Sequence, residues 1–232
     1  MIRQVLPRSG TGVRHRQCLT NCARARRTDQ GYNAFTLIEL IVVVGIIIVL
    51  AGLVLSTAGY ARKKSARARA ETEIAAIAAA CENYKADNAI YPRGPANAVP
   101  IGTVTIPANA TDNLNARTRG NPTDTTDPTY GETSLYLYIV LSGDTTGTRN
   151  PTGKSYMTFK PNMLLPAGGT GTVTAIADPF GNSYGYSTAN QADPVTPTGY
   201  NPTFDLWSTA GLTANPSPSP SDTITPQWIK NW

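Results

Sequence analysis

Glu39 is the one charged residue in an apolar run, "FTLIELIVVVGIIIVLAGLVL", that occupies residues 35–55. A carboxylate left unpaired in lipid costs on the order of 2–3 kcal/mol, so it calls for a cation or a polar cavity. The nearest Lys or Arg residues in sequence are Arg27 and Arg62, both out of reach. Few other residues could do chemistry. His15 is the only histidine and lies near Cys18 and Cys22, whose C-x3-C spacing matches no common zinc pattern without further ligands. Cys81 is the only other cysteine, so no disulfide can form within residues 35–232. Without histidine, those residues have no histidine-dependent triad and no histidine-based metal centre. They also lack acid clusters and a Gly-rich phosphate loop, which argues against an enzyme.

The element that must position Glu39 is the apolar run itself. Its 21 residues would span about 31 Å as a helix, matching the hydrocarbon thickness of a bilayer. It has no polar stripe, so it reads as a segment that enters a membrane. Seven arginines precede it within residues 1–34, against one acid, Asp29. Arg62, Lys63, Lys64, Arg67 and Arg69 follow it. The excess before the run places the N-terminus in the cytoplasm and the remainder outside. A secretory signal peptide has a shorter apolar core ending at a small-residue site, and here Ala61 is a mediocre one. Neither a signal peptide nor a plain single-pass anchor accounts for Glu39. A cut just before Phe35 would account for it, because the new α-amine would lie one helical turn away.

The net charge of +5 belongs to the leader. Residues 35–232 hold 13 Lys and Arg against 14 Asp and Glu, so charge gives no support to nucleic-acid binding there.

The stretch "AFTLIELIVVVGIIIVLAGL" closely resembles the N-terminal signature of type IV prepilins and type II secretion pseudopilins. Phe35, Thr36, Leu37, Ile38, Glu39 and Leu40 match that pattern in place. The resemblance implies that a prepilin peptidase cuts between Ala34 and Phe35 on the cytoplasmic side and methylates the Phe35 amine. It also implies that Glu39 is the fifth mature residue. The family nearly always has Gly before the cut, where this chain has Ala34. Cutting at Gly31 instead would leave Glu39 eighth. "YKADNAIYP" (84–92), "DPFGNSYGY" (178–186), "FDLWSTAG" (204–211) and the terminal "NW" resemble the major pseudopilin in pieces. Between about 93 and 170 the resemblance fails.

Residues 61–88 contain no Gly or Pro and are rich in Ala, Arg, Glu and Lys, which predicts a continuing helix. Ala66, Ala70, Ile74, Ile77, Cys81 and Tyr84 draw one apolar stripe, so residues 61–92 form an amphipathic half that lies against a small domain. Cys81 is expected as a small core residue on that stripe. Arg67 with Glu71, and Arg69 with Glu73, are expected as i,i+4 pairs on the solvated side. Pro92 should stop the helix. Residues 93–131 read as a long surface loop with a weak pairing around "GTVTIPA", and residues 132–142 as a short helix. Strands are expected at 155–159, 171–177, 183–187 and 203–208, with 178–182 as a turn.

The expected architecture is therefore α+β and pilin-like: a long N-terminal helix on a three- or four-stranded antiparallel sheet. Residues 1–34 would be a removed leader, 35–60 the membrane or filament-core helix, 93–170 a variable region, and 171–232 the sheet and tail. By resemblance, mature chains assemble head to tail into a helical filament, with Glu39 of one meeting the Phe35 amine of a neighbour. The implied partners are the prepilin peptidase, copies of the chain, other pseudopilins, the inner-membrane assembly platform and lipid, with the folded part and the filament in the periplasm. Two alternatives are a type IV pilus subunit for adhesion or DNA uptake and a single-pass anchored extracytoplasmic protein. Classical type IV pilins close their C-terminal region with a disulfide, which Cys81 alone cannot form. Major pseudopilins often bind calcium through acids after the "FDLWS"-like strand. That loop offers only Asp222 here, so no cofactor is expected; a site from Asp205, Asp222 and backbone carbonyls is the remaining calcium option.

Overall fold

The computed structural model describes residues 35–117, 129–196, 198–211 and 227–232. The leader, Ala34 and Asp222 lie outside these residues. Contacts divide the chain into two units at Leu50–Ala51.

Helix α1 runs from Leu37 to Asn88, 52 residues. In the first unit, residues 35–50 are all exposed. This is the one described helix long and apolar enough to cross a membrane. The second unit begins inside α1. There, burial appears on one face: Ala70, Glu73, Ile74, Ile77, Ala80 and Cys81 are buried. The expected stripe is present from Ala70 to Cys81, with Ala66 and Tyr84 half-buried at its ends. The helix stops where the sequence predicts. Ala89 adopts φ 65°, and its amide bonds back to the Lys85 carbonyl at 2.7 Å.

Seven described elements separate α1 from the main sheet. Strands β1 (Val99–Ile101) and β2 (Val104–Ile106) form a hairpin, followed by α2 (Ala110–Asn113) and α3 (Thr129–Ser142). A 3-10 turn (Pro161–Met163) leads into β3 (Leu164–Leu165), which pairs with β4 (Ala175–Ile176). The three-stranded antiparallel sheet has the order β5 (Gly185–Ser187), β6 (Asp205–Ser208), β7 (Ile229–Lys230), and a four-residue helix α4 (Ala189–Ala192) leaves β5. Gly185 stands opposite Trp207, and Trp207 opposite Lys230. A Cβ on Gly185 would come within 2.2 Å of the Trp207 indole, so only glycine fits beneath that ring.

One core collects the buried face of α1, Leu135, Leu137, Tyr138 and Leu141 of α3, and Tyr186 and Leu206 of the sheet. A second cluster gathers Leu114, Tyr130, Trp207 and Trp228. The architecture is α+β with small antiparallel sheets, as expected. Several local expectations need correction. The region 93–131 is no surface loop in its described part, since Ile101, Ile106, Ala110, Leu114 and Ala116 are buried. Residues 155–159 do not form a strand. The amides of Tyr156 and Met157 both donate to the Leu141 carbonyl, at 2.8 and 3.0 Å, satisfying an orphan acceptor at the end of α3. Gly143 makes that close approach possible: it has φ 75°, and a Cβ there would lie 2.7 Å from the Gly153 and Lys154 carbonyl oxygens. Glu73 is not on the solvated side: it is buried, paired with Arg69 Nε at 2.6 Å and accepting the Tyr184 hydroxyl at 2.8 Å. Arg67 donates to the Gln227 carbonyl at 3.0 Å.

Candidate functional site

The start of α1 brings three predicted residues into one turn. Thr36 immediately precedes the first helical residue, Leu37, and Glu39 is the third helical residue. The Glu39 amide donates to Thr36 Oγ1 at 3.3 Å. In return, Glu39 Oε2 accepts from the Thr36 amide at 3.1 Å and from Thr36 Oγ1 at 3.0 Å. This is a reciprocal capping box: each side chain satisfies a backbone donor that helix geometry leaves without a partner. A carboxylate in the first turn is also favoured by the partial positive charge of the helix N-terminus.

The capping box supplies a local role for Glu39 that reasoning from charge cost alone passes over. It does not neutralise the carboxylate, because both Thr36 donors are neutral and both address Oε2. Among the described residues Oε1 accepts no hydrogen bond. Phe35 is 80 % exposed, so a backbone cut on its N-terminal side would release an unburied α-amine. Ala34 lies outside the described residues. The site can therefore present one free carboxylate oxygen beside the position of a potential new cation, on a helix with no other charge before Arg62.

Other candidate residues have structural work. Cys81 is fully buried, and burial, reinforced by the charge of Glu82, raises its thiol pKa far above the ordinary value. Asp205 spends both oxygens on the chain around it, accepting the Tyr200 and Asn201 amides at 2.8 Å each. Burial raises its pKa. Among the described residues no group of three or more His, Cys, Asp or Glu side chains is placed to hold a metal ion. Comparison with family models, curated proteins and solved structures finds no match to this chain.

Proposed function

We propose that the chain is a prepilin-like structural subunit, closest to a type II secretion pseudopilin, which is trimmed between Ala34 and Phe35 and assembles into a helical filament. The observation that carries this reading is a single helix with two kinds of surface. Its first half is apolar and exposed on all sides, with one carboxylate in its first turn. Its second half buries a stripe in a folded domain. A helix apolar all round needs lipid or copies of itself around it. Gly45, Gly52 and Gly59 recur every seven residues with open space where a Cβ would stand, which would let neighbouring helices approach closely. In the filament, Glu39 Oε1 takes the Phe35 amine of a neighbour while Oε2 keeps the Thr36 box. The lone subunit in lipid has no neighbour's amine, so assembly adds a charge pair between chains that the lone subunit cannot make. The partners are the prepilin peptidase, further pseudopilins, the assembly platform and inner-membrane lipid, with the folded domain in the periplasm.

Sequencing the N-terminus of the membrane-extracted chain should give Phe35, and a start at Arg62 would remove the basis of the reading. Substitutions at Glu39 separate charge pairing from capping. Glu39→Gln keeps a side chain able to close the box but cannot pair with an amine. Under the proposal, Glu39→Gln and Glu39→Leu both leave trimming and membrane residence intact and strongly reduce sheared-filament or secretion yield. The reason is the buried unpaired amine left in the neighbour, an arrangement that costs about 3–5 kcal/mol. Thr36→Val loses the box at about 1 kcal/mol and keeps the charge, so it should assemble nearly as well as the parent. If Glu39→Gln assembles normally while Thr36→Val fails, Glu39 is a helix cap and no more.

A further inference from the structure

The cations that follow the apolar run fall into two groups. Arg62, Lys63, Lys64, Arg67 and Arg69 stand close together, with no acid between Glu39 and Glu71. Arg67 and Arg69 belong to the folded domain, the first donating to the Gln227 carbonyl at 3.0 Å and the second pairing through Nε with Glu73 at 2.6 Å. Farther along the chain, Lys85 donates to the Tyr91 hydroxyl, Arg93 pairs with Asp112, and Lys154 with Asp87. Arg62, Lys63 and Lys64 differ from all of these. They are exposed, and among the described residues they make no hydrogen bond, ion pair or ring contact. Topology does not account for them either, because cations beyond an apolar span run against the charge bias that orients it.

Their position along α1 suggests what they meet. The helix continues unbroken from Leu37 to Asn88, so Arg62 lies about 10 Å beyond Leu55, the end of the apolar run. The headgroup layer outside the hydrocarbon is about 5–8 Å thick. Helical side chains slant toward the N-terminus, which carries the ends of these long side chains back to the level of the phosphates. The residues between suit such a boundary. Ser56 and Thr57 turn their hydroxyls onto the Leu53 and Val54 carbonyls, and Tyr60 is an exposed aromatic of the kind that gathers where hydrocarbon meets water. We propose that Arg62, Lys63 and Lys64 bind the phosphates of anionic phospholipids in the leaflet on the side of the folded domain. The inference rests on the proposed function only in placing residues 35–55 in lipid; it needs neither trimming nor a filament.

Lysine supplies the probe, because residues 1–34 contain arginine but no lysine, so the leader gives no signal. The full chain, carrying 13Cε-lysine, is placed in phosphatidylcholine nanodiscs in which phosphatidylglycerol is substituted in rising proportion. Lys63 and Lys64 should shift saturably with phosphatidylglycerol and return in about 1 M salt, where charge is screened beyond about 3 Å. Lys160, equally exposed and without a partner among the described residues, should stay in place. Arg62→Gln, an exposed change that leaves the domain intact, should weaken the lysine response about fivefold, the worth of one basic residue at an anionic surface. Soluble glycerol phosphate added to phosphatidylcholine discs should move neither lysine, because only a membrane presents several phosphates at once. Lys63 and Lys64 signals indifferent to phosphatidylglycerol, an equal shift at Lys160, an undiminished response in Arg62→Gln, or a matching response to glycerol phosphate would each overturn the proposal and leave the pseudopilin reading standing. A chain that does not enter the discs would overturn both.

Discussion

Asp178 shows how a single carboxylate can hold a turn while opposing its own ionisation. It is buried, its Oδ1 accepts the amides of Phe180 and Asn182, and its Oδ2 accepts the Ser208 hydroxyl. Burial outweighs these bonds and raises its pKa. The unfolded chain therefore gives up the Asp178 proton at lower pH than the folded one. This residue's contribution to stability is complete below the unfolded pKa and declines as pH rises through the folded value. Asp178→Asn keeps an acceptor for the two amides and has no proton to lose. Its melting temperature relative to the parent should improve between pH 4 and pH 7, and a difference that stays flat or worsens would contradict the assigned cause. Cys81 gives a second residue-scale expectation. Its thiol is inaccessible and its pKa raised by burial, so alkylation of the Cys81 peptide should follow unfolding in denaturant and be negligible in the native chain. The sequence identifies Cys81 correctly because a small residue on a helical stripe needs only periodicity. It misplaces Glu73 because a carboxylate at i+4 from an arginine looks solvated until the Tyr184 hydroxyl is seen above it. At the candidate site the Thr-x-x-Glu spacing that signals a capping box stands in the sequence, but an argument from charge cost passes over it. The neighbouring chain that would supply a cation cannot be read from one chain.

At the scale of elements, legibility follows the range of the interactions. Helix α1 and its end at Asn88 are written in local propensity and one apolar period, and α3 in a short apolar run closed by Gly143. The antiparallel strands at 185–187 and 205–208 fall within their predicted segments but are shorter, because strand length depends on partners. Residues 155–159 alternate like a strand and yet serve the carbonyl end of α3, a non-local demand with no signature in the segment itself. Buried positions in 93–117 are hidden in the same way among Thr, Asn and Pro. One hydroxyl shows how much such non-local links matter. Ser134 on α3 accepts the Ile176 amide at 2.8 Å and donates to the Ile176 carbonyl at 3.3 Å, tying α3 to β4. Ser134→Ala leaves a buried amide without an acceptor and should destabilise the domain by about 1–3 kcal/mol, measured by denaturant unfolding. A change within experimental error would mean that α3 and β4 are held by packing alone.

For the whole molecule, the distribution of exposed apolar surface decides what can exist without a membrane or a filament. Among the described residues, the large hydrophobic side chains left exposed lie between Phe35 and Tyr60, apart from Ile90, Val99 and Val195. Isolated exposed residues of that kind are ordinary on soluble proteins, whereas a continuous run of them is not. A chain beginning at Tyr60 should therefore be a soluble, folded monomer. Its reduction should leave the melting temperature unchanged, since Cys81 would be its only cysteine. The first turns contribute little, because residues 61–65 are exposed and burial on α1 becomes continuous only from Ala70 onward. Starting the chain at Ala66 should accordingly give the same melting temperature within a few degrees. Starting at Ala78 removes Ala70, Glu73, Ile74 and Ile77, and with them the ion pair that receives the Tyr184 hydroxyl. Losing two buried isoleucines alone costs several kcal/mol, comparable to the whole stability of a small domain, so that chain should fail to fold. The three truncations, compared by sedimentation and by amide dispersion in NMR, test the division of α1 directly. Aggregation of the Tyr60 chain would show that the apolar liability is not confined to the residues before Tyr60, and a folded Ala78 chain would show that the domain does not draw its stability from the stripe between Ala70 and Cys81.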